Sequence, residues 1–202
     1  MSVDRYPALH PVRVVPLVGV LLGTLAAIPA ASAESGLIVR GGFESGGDTL
    51  FEGRLTDGDS ASIEAGGGAL LEVGVRHGII GPKWETDLTV GVKADTENAS
   101  NGDVSFTRVT LNAMQYYRFA EKIRFGAGVT YHLSPTLEVD VPGLRDEAEG
   151  ESVVGYMLAA DYVVTPSVEL GIRATQLDYE FENGATVTVD GSGVGGYLTY
   201  RF

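Results

Sequence analysis

From residue 36 to the end of the chain, apolar and polar side chains alternate position by position, in runs separated by polar or Gly/Pro-rich links. A period of two is the mark of β-strands, whose successive side chains point to opposite faces. Eight such segments fall near 36–43, 61–77, 83–94, 104–119, 122–133, 152–164, 167–181 and 192–202. The links between them alternate in length. Glu44 to Ser60 is long, Gly78 to Pro82 short, Asp95 to Asp103 longer, and Ala120-Glu121 a tight turn. Ser134 to Glu151 is long again, Thr165-Pro166 a turn, and Glu182 to Gly191 long. The pattern predicts an all-β, eight-stranded, antiparallel up-and-down barrel whose two ends meet different surroundings.

Parity separates the faces but does not orient them. In the fourth segment Thr107, Val109, Leu111, Ala113, Tyr117 and Phe119 oppose Arg108, Thr110, Asn112, Met114, Tyr116 and Arg118. In the fifth, Ile123, Phe125, Ala127, Val129, Tyr131 and Leu133 oppose Lys122, Arg124, Gly126, Gly128, Thr130 and His132. A soluble binding barrel turns its apolar face inward, a membrane barrel outward. Glycine decides between them. Gly66, Gly68, Gly74, Gly126, Gly128, Gly155, Gly171 and Gly195 all fall on the polar faces. Glycine weakens a strand, but the inside of a narrow eight-stranded barrel has room for little else. The expected fold is therefore a transmembrane β-barrel with its polar face in the lumen.

That orientation sends many charges inside. Arg40, Arg76, Lys93, Arg108, Arg118, Lys122, Arg124, Arg173 and Arg201 would face Glu64, Glu72, Glu85, Asp87, Asp161 and Glu169. Isolated charges cost several kcal/mol in such a place, so opposite signs should pair and plug the lumen. The aromatic residues sort by end. Trp84, Tyr117, Phe119, Tyr162, Tyr200 and Phe202 lie beside short turns or the C-terminus, and Phe43, Tyr131 and Tyr156 near the long links, as in the two aromatic belts of a membrane barrel. Long links outside and short turns in the periplasm put both termini in the periplasm.

The N-terminal stretch reads differently. Residues 1–13 are mildly basic, Val14 to Ala30 almost wholly apolar, and Ala31-Ser32-Ala33 forms a small-x-small site before Glu34. That is the layout of a cleavable secretory signal peptide over 1–33, leaving a single barrel domain over 34–202. The net charge of −13 becomes −14 once Arg5, Arg13 and Asp4 are removed, and an acidic chain argues against nucleic acid as a partner. Cysteine is absent, so disulfides do not hold this exported domain.

The chain ends Gly195-Gly196-Tyr197-Leu198-Thr199-Tyr200-Arg201-Phe202, with Leu198, Tyr200 and Phe202 on one face. This resembles the C-terminal targeting strand of bacterial outer-membrane proteins. Together with length and loop order it makes the whole region similar to the small eight-stranded barrels of the OmpA/OmpX type. The resemblance implies a bacterial outer-membrane location, lipid and lipopolysaccharide as surroundings, and recognition of the last strand by the barrel-assembly machinery. It implies no cofactor and carries no catalytic signature, and one fold hosts many functions.

The long links are acidic. Glu44, Asp48, Glu52, Asp57 and Asp59 stand against Arg54, and Glu138, Asp140, Asp146, Glu147, Glu149 and Glu151 against Arg145. Asp95, Glu97, Asp103, Glu182 and Asp190 extend the pattern. Such clusters can collect divalent cations, although no calcium-loop spacing occurs. His132-Leu133-Ser134 is similar to the His-x-Ser element of lipid A deacylases, with Glu138 as a third member, but parity points His132 inward, away from lipid. The expectation is a non-enzymatic barrel with a charge-paired, closed lumen, acting in envelope integrity or surface interaction through its loops. The alternatives are a narrow channel for small or hydrophobic solutes, as the OmpW type implies, and a lipid A-modifying hydrolase.

Overall fold

The computed structural model of the protein describes residues 35–54, 60–78, 83–99, 102–141, 144–182 and 186–202. The expected signal peptide, 1–33, lies outside them, as do Asp57 and Asp59. In chain order the strands are β1 (Gly36–Ser45), β2 (Thr49–Arg54), β3 (Ser60–Glu64), β4 (Gly68–Gly78), β5 (Trp84–Ala99), β6 (Gly102–Ala120) and β7 (Ile123–Val141). They continue as β8 (Leu144–Glu149), β9 (Val153–Thr165), β10 (Val168–Gln176), β11 (Asp178–Glu182), β12 (Thr186–Asp190) and β13 (Gly193–Arg201).

Eight of these form the barrel wall. The order β6-β5-β4-β1-β13-β10-β9-β7 is antiparallel throughout, and pairing of β7 back onto β6 closes the ring. Closure leaves no sheet edge in the wall, which a membrane-spanning β-structure requires. Leu71, Leu158 and Ile172 stand outward and exposed, while Arg40, Arg76 and Arg124 are buried inside, so the barrel is inverted relative to a soluble one.

The remaining strands belong to the long-link end. β2 pairs with β3, β11 with β12, and β8 with the far part of β7. Three features expected from the sequence need correction here. The segment 61–77 is two strands, because Ala65, Gly66 and Gly67 make a turn and Gly68 follows at φ +119°, a conformation that favours glycine. Gly66, expected on the lumen face of a strand, thus lies in a turn. The segment 167–181 is likewise interrupted at Leu177. Finally, Glu138 and Asp140 belong to β7, whose strand runs eight residues beyond 133 to Val141.

Candidate functional site

The lumen contains a continuous chain of alternating charges. At one end Lys93 Nζ meets Glu44, whose other oxygen accepts from Arg173 Nε at 2.6 Å. Arg173 Nη1 reaches Glu72 at 2.8 Å, Glu72 accepts from Arg40 at 3.0 Å, and Arg40 Nη2 reaches Asp87 at 2.9 Å. Asp87 accepts from Arg76 Nε at 2.7 Å, and Arg76 Nη1 reaches Glu169, also at 2.7 Å. Arg124 closes the series against Glu169 at 2.5 Å and Glu85 at 2.8 Å, with Arg118 on the second Glu85 oxygen at 2.6 Å. Arg124 also stands 2.7 Å from Asp161 Oδ2, a charge contact too bent to be a hydrogen bond. The chain holds six cations and six carboxylates, so it is neutral as a whole. Glu85 and Arg118 at its short-turn end are only partly buried; the others are sealed.

Parity along the strands explains why these side chains meet. Each lies on an inward position, and the register sets partners side by side: Arg40 opposite Glu72 across β1 and β4, and Arg76 opposite Asp87 across β4 and β5. Two tyrosines complete the layer. Arg124 stacks on Tyr116 at 4.0 Å, and Tyr197 donates a hydrogen bond to Asp161. Both rings occupy space left by glycine. A Cβ on Gly126 would strike the Tyr116 ring, and one on Gly171 would strike Tyr197.

The long-link end is closed by a second, apolar core. Ile63 and Ala65, Val104 and Phe106, and Leu177 and Tyr179 are all buried together, with Phe51, Leu137, Val153 and Phe181 packed around them. Phe106 meets the Tyr179 ring edge-on at 5.5 Å. Polar links fasten this cap to the wall. Tyr179 Oη is 2.6 Å from His132 Nδ1, Lys93 Nζ donates to the Gly66 carbonyl at 2.6 Å, and Arg108 donates to the Gly67 carbonyl. Asp48 and Asp190 join the β2–β3 and β11–β12 hairpins, the Asp190 amide donating to Asp48 Oδ2 at 2.9 Å.

A rim of rings surrounds the short-turn end. Trp84 packs on Tyr117 at 4.9 Å, Phe119 on Phe125 at 6.2 Å, and Tyr200 on Phe202 at 4.8 Å. Trp84, Phe119, Tyr162, Tyr200 and Phe202 are exposed on the outer wall, and Lys122 stands over Tyr162 at 5.8 Å. Phe43, Tyr131 and Tyr156 are exposed toward the other end. On the outer face of the last strand, Leu198, Tyr200 and Phe202 form one exposed row.

The family model described as "Outer membrane protein beta-barrel domain" matches residues 18–202. The chain belongs to that family. It is an outer-membrane β-barrel protein, and its place is the bacterial outer membrane. Among solved structures this outer-membrane barrel is similar to Neisserial surface protein A, at 14% identity, covering 83% of this chain and 97% of that one, with a TM-score of 0.50. It is also similar to Ail, the attachment invasion locus protein of Yersinia pestis, at 14% identity, 85% and 100% coverage and a TM-score of 0.54. No curated protein sequence matches the chain. At such identities the likeness is one of fold.

Several residues of this barrel depart from the expected pattern of lumen pairs. Lys122 is exposed in the turn before β7, and Glu64 lies in the β3 hairpin, accepting from Ser45 Oγ at 2.8 Å and the Gly46 amide at 2.7 Å. Arg108 is buried but makes no ion pair with a described carboxylate. Arg201 is partly buried at the barrel's short-turn end. Glu44, expected in an acidic loop, is sealed in the lumen and answers two cations. The signal for this is its parity, which Glu44 shares with Arg40 one residue beyond the expected end of the strand. The elements of a hydrolase site do not converge. His132 is buried and bonded to Tyr179, whereas Ser134 and Glu138 are not drawn in beside it. Among the described residues no three of His, Asp and Glu converge to hold a metal ion.

Proposed function

We propose that the protein is a non-conducting outer-membrane barrel whose role is surface interaction and envelope integrity, exerted through a rigid acidic platform at its long-link end. The observation that carries this reading is the unbroken, charge-neutral chain across the lumen. An ion or solute would have to part several buried Arg–carboxylate contacts, and breaking one such contact costs about 3–5 kcal/mol. The apolar core above it is a second seal.

That core also gives the platform its form. In the far parts of β6 and β7, with β8, one face carries Val104, Phe106, Leu137 and Val139 toward the core. The register puts Asp103, Asp140 and Arg145 in one row and Glu138 and Glu147 in the next on the other face. Its charges are therefore displayed on a folded sheet. The rings at the two ends are read as the aromatic belts of the membrane interface, and the Leu198–Tyr200–Phe202 row as the assembly signal. Outer-membrane lipid and lipopolysaccharide then surround the wall.

The test is conductance of the refolded barrel in a planar bilayer, after a heat-dependent gel shift shows that it has formed. Silence over a range of voltages is expected. Stable, reproducible steps would make the lumen a path and the channel reading the right one.

A further inference from the structure

Near the short-turn end, polar side chains interrupt the apolar outer wall. Higher on the same face of β4, β5 and β6 the outward positions include Leu71, Leu88, Val92 and Leu111, all exposed. Below them His77, Thr86 and Gln115 stand opposite one another in register, on three adjacent strands. Thr86 Oγ1 donates to Gln115 Oε1 at 2.8 Å, and Gln115 Nε2 donates to the Glu85 carbonyl at 2.9 Å. The second amide N–H of Gln115 has the Tyr116 carbonyl at 3.5 Å, the limit of a hydrogen bond. Against lipid rather than water, such a group needs a better acceptor.

Two residues nearer the short turns, about 7 Å along the strands, Trp84 pairs with Tyr117. Lys83, exposed just before β5, holds its Nζ 6.0 Å from the centre of the Tyr117 ring. It forms no ion pair with a described carboxylate. Glu85, two residues on, points into the lumen, where Arg118 and Arg124 hold it. The charge of Lys83 is therefore uncancelled by that neighbour. A free ammonium, two rings and a polar row follow one another up the wall, from the rim into the apolar zone.

We propose that this face holds a glycerophospholipid with a net-negative headgroup, in the leaflet that meets the short turns. Lys83 Nζ donates to the phosphodiester, the free Gln115 N–H donates to an acyl-ester carbonyl, and the acyl chains run over Leu88 and Leu111. The order of groups on the wall matches the order along such a lipid: charge outermost, ester next, hydrocarbon beyond. A zwitterionic headgroup brings its own ammonium against Lys83, which selects the anionic class. Free phosphate has neither the ester nor the chains that the polar row and the wall call for. The inference rests on the reading of these rings as the membrane interface.

The single tryptophan, Trp84, lies beside the site and reports on it. The barrel is refolded into phosphatidylcholine vesicles holding a minor share of phosphatidylglycerol. Bromine on the acyl chains of one lipid or the other quenches Trp84 emission on contact. Brominated phosphatidylglycerol should associate about fivefold more strongly than brominated phosphatidylcholine at the same mole fraction. The preference should vanish in K83Q, weaken in Q115L, and persist in R145Q, which removes an equal charge at the long-link end. All three side chains lie outside the lumen, and the heat-dependent gel shift checks that each variant has folded. Equal quenching by the two lipids in the wild type would overturn the proposal. So would a preference that survives K83Q or Q115L unchanged, or one that R145Q abolishes. Absence of quenching by either lipid would overturn the placement of the rings at the membrane interface, and the site with it.

Discussion

Replacing Arg124 with methionine isolates the energetics of the lumen. Methionine keeps an unbranched apolar side chain against Tyr116 and removes the guanidinium that meets Glu169, Glu85 and Asp161 and stands 3.7 Å from Asp87. The four carboxylates are not equally harmed: Asp87 keeps Arg40 and Arg76. Glu169 keeps Arg76 and Glu85 keeps Arg118, but Asp161 keeps only the Tyr197 hydroxyl. The loss therefore concentrates on one buried, uncompensated charge, for which about 3–5 kcal/mol is expected. At a urea slope of about 2 kcal/mol per molar, the unfolding midpoint should fall by roughly 1.5–2.5 M. The assay is urea unfolding of the barrel refolded into lipid vesicles, followed by the emission of Trp84, the single tryptophan. The decisive comparison is the double variant R124M/D161N. The side-chain amide that D161N introduces still accepts from Tyr197 but carries no charge, so most of the loss should be recovered although two ionic groups are missing. A cost below about 1 kcal/mol for R124M, or a double variant no better than the single, would show that the chain is not an electrostatic unit.

Three other outcomes follow from the same structure. Phe106→Ala should cost about 3–5 kcal/mol of cap packing while leaving the wall intact, giving proteolytic nicking at the long-link end with an unchanged heat-dependent gel shift. Gly68→Ala places a Cβ against the Ala94 backbone at φ +119° and should cost about 1–3 kcal/mol, read as a lower urea midpoint; an unchanged midpoint would show that the turn relaxes freely. Hydrogen bonds from Ser45 and then the Gly46 amide hold the Glu64 carboxyl below its ordinary 4.5. The folded form thus favours the carboxylate, so its contribution is present above that value and is lost as pH falls through the lowered one. Exchange protection of the Gly46 amide should hold down to about pH 4.5 and drop as pH falls below that in the wild type, and stay flat in E64Q.

The alternation of residues determined most of the wall by itself. A period-two pattern with glycine on the polar face admits one arrangement in a membrane, apolar side out and polar side in, and the order of long and short links fixes neighbouring strands. Arg40, Glu72, Arg76 and Asp87 could be placed in the lumen on parity alone, because a strand leaves each side chain only two directions. What parity cannot supply is where regularity stops. The turn at Gly66–Gly67, the break at Leu177 and the continuation of β7 to Val141 depend on contacts between hairpins distant in sequence. Only the tertiary structure gathers Ile63, Phe106, Leu177 and Tyr179 into a cap. Glu44 and Arg108 show the same division. The alternation puts Arg108 in the lumen but leaves Glu44 in a solvated link, and packing buries both. Their difference lies in their neighbours: register brings two cations to Glu44 and no described carboxylate to Arg108. Pairing across a closed barrel is a long-range property, fixed by stagger and closure, and no local pattern encodes it.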